Sequence, residues 1–128
     1  MLLALCLREI KKMNLTSLVT KLKTSSLINI ERVVTIKKYI SIKEKFKIVD
    51  EYREIFKQHR EDYPKYESYV AFIFFNLIVV KYYTNIDIQL TYEEFDLLSS
   101  SNLLSEIVQK IGQDYSLLMQ LAQININK

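Results

Sequence analysis

The chain has 128 residues, of which 49% are hydrophobic and 26% charged, and a formal net charge of +3. Those figures allow one hydrophobic core without staples and exclude wholesale disorder. A single cysteine, Cys6, excludes an internal disulfide, and a single Gly and Pro speak against a turn-rich β architecture.

Residues 2–7 are apolar, but Arg8, Lys11 and Lys12 follow the run instead of preceding it, so it does not read as a secretory signal. Arg8-Glu9-Ile10-Lys11-Lys12-Met13 is what a purine-rich ribosome-binding sequence and spacer encode when read in frame. We therefore expect residues 1–12 to be a mis-annotated leader and Met13 the start, the alternative being a frayed N-terminal helix. One domain is expected over residues 13–128.

Residues 15–23 and 28–38 alternate in the manner of half-buried strands. Leu18, Thr20 and Leu22 share one parity, and Ile28, Ile30, Val34 and Ile36 share another that Arg32 interrupts. Thr24-Ser25-Ser26 supplies a polar break, so the expectation is a β-hairpin within residues 13–40. Ser41 and Glu44 form a capping box ahead of a helix with Ile42, Phe46, Val49, Tyr52 or Ile55, and Phe56 on its apolar face. Pro64 opens the next helix, which is apolar on all sides from Tyr69 to Tyr83 apart from Asn76 and Lys81. Such a run is the centre of a bundle or a membrane-associated segment, and it is short of the roughly 20 residues that spanning needs. We read it as the buried central helix.

Thr91 and Glu94 form a second capping box before Phe95, Leu97 and Leu98, and residues 99–102 break that helix. Leu103, Leu104, Ile107, Val108 and Ile111 mark another, with Gly112 placed for a left-handed cap. Asp114 is expected to cap the last helix, with Leu117, Leu118, Leu121 and Ile124 on its apolar face. The predicted fold is α+β, mainly α: an N-terminal β-hairpin followed by a compact bundle of about five helices over residues 41–128.

Catalytic equipment is sparse. His59 is the only histidine and stands among Gln58, Arg60, Glu61 and Asp62 at a helix end, where a solvated role is the simpler one. Cys6 has no base or orienting group near it in sequence. One Cys and one His cannot close a zinc tetrahedron, and one glycine cannot build a phosphate-cradling loop. The carboxylate groups Asp50, Glu51 and Glu54, then Glu61 and Asp62, then Glu93, Glu94 and Asp96, lie where helices are solvated or capped. The expectation is a protein that is not an enzyme and uses no cofactor.

Charge is unevenly spread. Residues 1–48 hold eleven basic and three acidic side chains, net +8, and residues 49–128 hold seven and twelve, net −5. Lys21, Lys23, Arg32, Lys37, Lys38, Lys43 and Lys47 thus form a candidate interaction face. It could serve a protein partner, phosphate groups of a nucleic acid, or self-assembly through opposite charge; a merely solvated lysine edge that blocks aggregation is the plainer alternative. Tyr52, Tyr63, Tyr66, Tyr69, Tyr82 and Tyr83 stand mostly near helix ends and are read first as core-edge packing, ring buried and hydroxyl wet, with a partner surface near Tyr63, Tyr66 and Tyr69 as the second reading.

Three stretches carry a family resemblance. Lys38-Tyr39-Ile40-Ser41-Ile42-Lys43-Glu44-Lys45, Lys81-Tyr82-Tyr83-Thr84-Asn85-Ile86-Asp87, and Ser101-Asn102-Leu103-Leu104-Ser105-Glu106-Ile107-Val108 with Tyr115 resemble a loose family of small bacteriophage-encoded helical proteins. The chain departs at two loops, with Ser101-Asn102 where the family often has Asn-Gly and Ile111-Gly112 where it often has Ile-Pro. The resemblance implies an accessory or virion-module protein in the host cytoplasm or the virion. Its partner would be a phage structural or host protein, with homo-oligomers as a variant and nucleic acid as the alternative. It assigns no catalytic residues.

Overall fold

The computed structural model describes residues 13–24 and 30–123. Cys6, Ile124 and the proposed leader lie outside these residues, as do the side chains of Lys23 and Arg32. Among the described residues the predicted hairpin is not present. Residues 15–24 form a helix, α1 (Leu15–Thr24), preceded by a two-residue strand, β1 (Met13–Asn14). The segment carries two periods at once, and the helical one decides: Leu15, Leu18 and Val19 are buried and Leu22 packs beside them. Asn14 also caps the helix, its Oδ1 accepting from the Ser17 amide at 3.1 Å.

The second expected strand is replaced by one helical turn, α2 (Ile30–Val33), and an extended stretch leading to Ser41. That stretch finds its hydrogen bonds at the end of the central helix. The Thr35 amide donates to Asn85 Oδ1 at 2.8 Å, the Lys37 amide donates to the Tyr83 carbonyl at 2.7 Å, and Ile36 bridges Thr84. β1 pairs in parallel with β2 (Ile86–Asp87), Met13 opposite Ile86 and Asn14 opposite Asp87. Sheet structure among the described residues therefore amounts to short contacts around the 84–87 corner, and the protein is mostly helical.

The helices expected after residue 41 are α3 (Ile42–His59), α4 (Glu67–Tyr83), α5 (Tyr92–Ser100), α6 (Leu103–Ile111) and α7 (Gln113–Ala122). The total differs from the expected five because the segment read as a hairpin is itself helical. Ser41 caps α3, its Oγ accepting from the Glu44 amide at 3.3 Å. Thr91 does the same for α5, from the Glu94 amide at 3.2 Å, but the Glu94 carboxylate accepts from the Gln89 amide instead of closing the box. Pro64 opens a 3₁₀ turn, Pro64–Tyr66, ahead of α4. Gly112 has φ +72°, the backbone that stops α6 and starts α7.

α4 is the central helix. Val70, Phe74, Phe75 and the run from Leu77 to Val80 are buried, because α3, α5 and α6 each pack on it. A fully buried side chain of this size stabilises by roughly 1.5–3 kcal/mol, so this helix supplies much of the driving force for folding. Tyr52 and Tyr115 meet Phe75 edge-on at 5.8 and 5.6 Å between ring centroids. No helix among the described residues is long and apolar enough to cross a membrane.

Candidate functional site

At α3 and α7 several large apolar side chains stand outside the core. Helical spacing placed Ile42 and Phe46 on the apolar face of α3, but they stand 51% and 54% exposed. The buried positions are Lys45, Ile48, Val49 and Tyr52, so the true core face is rotated away from that stripe. Leu117 is likewise 50% exposed on α7, while Leu118 is buried. Tyr39, 67% exposed, lies just before α3.

These side chains adjoin one another. Tyr39, Ile42, Leu117 and Leu121 line a depression of about 300 Å³ between α3 and α7. Phe46, Val49, Asp50, Arg53 and the same Leu121 line a second of about 370 Å³ further along α3. Leu121 borders both, so they adjoin as one groove, apolar at the Tyr39 end and mixed at the end that Asp50 and Arg53 line. Large apolar patches rimmed by polar groups mark interaction sites on soluble proteins.

A buried polar network fixes one end of the groove. Lys45 Nζ donates to Asp114 Oδ1 at 2.8 Å and to the Ile40 carbonyl at 2.5 Å. Asp114 Oδ2 accepts from the Tyr83 hydroxyl at 2.6 Å and from the Ile40 amide at 3.0 Å. Both charged side chains are 4% exposed or less. Burial opposes ionisation of Asp114, yet the Lys45, Tyr83 and Ile40 hydrogen bonds and the Lys45 charge outweigh it, holding the carboxyl below its usual range. Burial, reinforced by the bond to Asp114, pushes the Tyr83 hydroxyl well up. Lys45 also lies 4.3 Å beneath the Tyr39 ring, which seats that aromatic at the groove mouth.

Two expectations are corrected here. Asp114 is not a cap: Gly112 holds the cap position, and Asp114 sits buried in the first turn as the acceptor of this network. Tyr83 does not keep a wet hydroxyl, since its side chain is wholly buried and bonded to Asp114.

The network and a second contact define how the walls run. Lys45 near the start of α3 meets Asp114 near the start of α7, and Arg53 further along reaches the Leu121 carbonyl at 3.5 Å. The two helices therefore run side by side in the same direction.

The candidate basic residues fall in different places. Lys43 and Lys47 are exposed on α3, one residue beyond Ile42 and Phe46 and about 100° further round the helix, outside the residues that line the two depressions. Lys37 and Lys38 are exposed in the segment before α3. Lys21 is exposed on α1, which packs on α5. Lys45, counted with the basic half by composition, belongs to the core and contributes no surface charge.

Other chemistry is scant. Among the described residues no group of three or more His, Cys, Asp or Glu side chains is placed to hold a metal ion. His59 is half-buried, not simply solvated: it stacks on Phe74 at 4.3 Å, and its Nδ1 lies 2.8 Å from Asp62, which also accepts from the Tyr92 hydroxyl. Glu51 takes Lys81 at 2.9 Å and the Tyr82 hydroxyl at 2.6 Å, tying α3 to α4 and pushing the Tyr82 hydroxyl up to about 12. A cavity of about 570 Å³ beside Asn76 is lined by uncharged residues, and the Asn76 amide in it is already bonded to Phe72 and Tyr115. Tyr63, Tyr66 and Tyr69 are exposed near the start of α4.

Compared with protein-family models, with curated proteins and with solved structures, the chain matches none. The groove residues Ile42, Phe46 and Leu117 were legible as apolar positions but were assigned to the core. Helical period alone does not say which of two adjoining stripes faces inward.

Proposed function

We propose that this protein is a non-catalytic binding module that acts through protein–protein contacts, with the α3–α7 groove as its docking surface. One observation carries the reading: four large apolar side chains, Tyr39, Ile42, Phe46 and Leu117, stand at least half exposed around a single groove. Leaving them in water forgoes burial worth roughly 25 cal/mol per Å², which a partner recovers on docking. Aromatic and aliphatic anchors at the centre of a groove are also the usual sources of binding energy. The resemblance of residues 38–45, 81–87 and 101–108 to small phage-encoded proteins supports an accessory or virion-associated role in the host cytoplasm or the virion. A phage structural or host protein is then the partner.

The test is affinity purification of the tagged protein from cells that express it, with and without nuclease, beside the double variant Phe46→Ser/Leu117→Ser. We expect a defined protein to be retained after nuclease and moderate salt and to be lost with the variant. Recovery that needs nucleic acid, or that ignores the variant, overturns the reading. The first of those outcomes would move the function to Lys21, Lys37, Lys38, Lys43 and Lys47 acting on phosphates, whose binding falls steeply with salt.

A further inference from the structure

Resting on that docking reading, we infer that the occupant of the α3–α7 groove is an amphipathic helix of a partner protein, about three turns long, with acidic side chains on the flank that meets Lys43 and Lys47.

The walls set the shape. Ile42 and Phe46 stand one turn apart on one wall, Leu117 and Leu121 one turn apart on the other, and the two helices run in the same direction. That arrangement is a trough with apolar ridges repeating at about 6 Å, the rise of four helical residues. The backbone of both walls is already spent on intrahelical hydrogen bonds, and the Leu121 carbonyl accepts from Arg53. An extended peptide laid in the trough would bring its own amides and carbonyls to a surface with nothing to pair them. A helix arrives with those groups satisfied and offers only side chains.

The length follows from the wall. From Ile42 to Arg53 the groove follows α3 for about 16 Å at 1.5 Å per residue, which is three turns of an occupant. Its anchors would recur at i, i+3 or i+4, and i+7 to seat between Ile42 and Leu117 and between Phe46 and Leu121.

Charge selects the flank. Lys43 and Lys47 are exposed on α3 about 100° round the helix from Ile42 and Phe46, near enough for long side chains to reach the flank of an occupant, whereas Glu44 falls about 200° from Ile42. Lys45 adds nothing to this edge because Asp114 neutralises it inside. Asp50 stands at the far end, with Arg53 beside it in the same depression. A rim that is positive along its first two turns favours an acidic partner flank and repels a basic one.

The experiment pans a display library of peptides of about fourteen residues against the full chain, counter-selected on Phe46→Ser/Leu117→Ser. Recovered peptides are synthesised, their helicity on binding followed by circular dichroism and their Kd by fluorescence anisotropy at low and high salt. We expect apolar residues at helical spacing and net negative charge. Phe46→Ala should weaken binding roughly thirtyfold, as an anchor does. Lys43→Glu/Lys47→Glu should weaken it about fivefold or more at low salt, with the difference shrinking at high salt. Groove-dependent binders that are neutral, basic or extended overturn this inference and leave the docking reading standing. No groove-dependent binder at all removes both. Self-association in sedimentation that Phe46→Ser abolishes would make a second copy the occupant and also overturn the inference.

Discussion

Replacing Lys45 by Met keeps most of its buried stem and removes the ammonium that neutralises Asp114. The carboxylate would then keep the Tyr83 hydroxyl and the Ile40 amide but lose its counter-charge at a site where both side chains are 4% exposed or less. Removing one partner of a buried pair costs about 3–5 kcal/mol, against 0–1 kcal/mol for an exposed pair, so Lys45→Met should destabilise by roughly 3 kcal/mol. Asp114→Asn should cost a similar amount, because an amide cannot compensate the buried ammonium. The double variant Lys45→Met/Asp114→Asn removes both charges and leaves an amide oxygen for Tyr83 and Ile40. It should therefore be less destabilised than the sum of the two single variants, by about 2 kcal/mol. With no tryptophan in the chain, urea unfolding is best followed by far-ultraviolet circular dichroism. The pH dependence is a second readout. Asp114 has a folded-state pKa below the unfolded value, so its contribution is present above about pH 4 and is lost as pH falls through the folded-state pKa. The stability gap between wild type and Asp114→Asn should hold at neutral pH and close below about pH 4. Strictly additive single variants, a Lys45→Met cost under about 1 kcal/mol, or a gap that persists in acid would refute the reasoning.

Three further predictions test the packing, the helix caps and the turn at Gly112. Phe46→Ala, at a half-exposed position, should change stability by no more than about 0.5 kcal/mol, while Phe75→Ala in the core should cost about 3–5 kcal/mol, as judged by the same urea titrations. Ser41→Ala and Thr91→Ala should each cost about 1 kcal/mol, since each hydroxyl oxygen accepts from an otherwise unpaired first-turn amide; equal stability to wild type would deny the caps a role. Gly112→Ala meets no atom within 4 Å, yet its φ of +72° is strained for any side chain, so a loss of about 1–3 kcal/mol is expected and a gain in stability would contradict the assigned backbone.

The parts of the fold that local chemistry decides were legible in advance. The caps at Ser41 and Thr91, the stop at Gly112 and the apolar run of α4 are each written in adjacent residues. The N-terminal segment failed because residues 15–22 satisfy two periods: Leu18, Thr20 and Leu22 alternate, while Leu15, Leu18, Val19 and Leu22 follow a helix. Asn14 as a cap was the available signal for the second. Residues 34–37 did become extended, but they pair with Thr84, Tyr83 and Asn85 instead of with residues 15–23, a choice that only tertiary contact makes.

The groove and its network show the same limit from the other side. Lys45 precedes Ile48, Val49 and Tyr52 at the spacing of a core face, so its burial could have been suspected; its acceptor, Asp114, lies on another helix far along the chain, and composition counted the lysine with the surface. Once Lys45 is drawn inward, α3 must present the neighbouring stripe, Ile42 and Phe46, to the outside. The ion pair and the exposed groove are thus two consequences of one helix rotation. Asp114 holds Lys45 and the Ile40 backbone together, Lys45 seats Tyr39, and Tyr39 closes the end of the trough that Leu117 and Leu121 complete. Loosening the network should therefore blunt the docking proposed for this groove even though both charged side chains are buried.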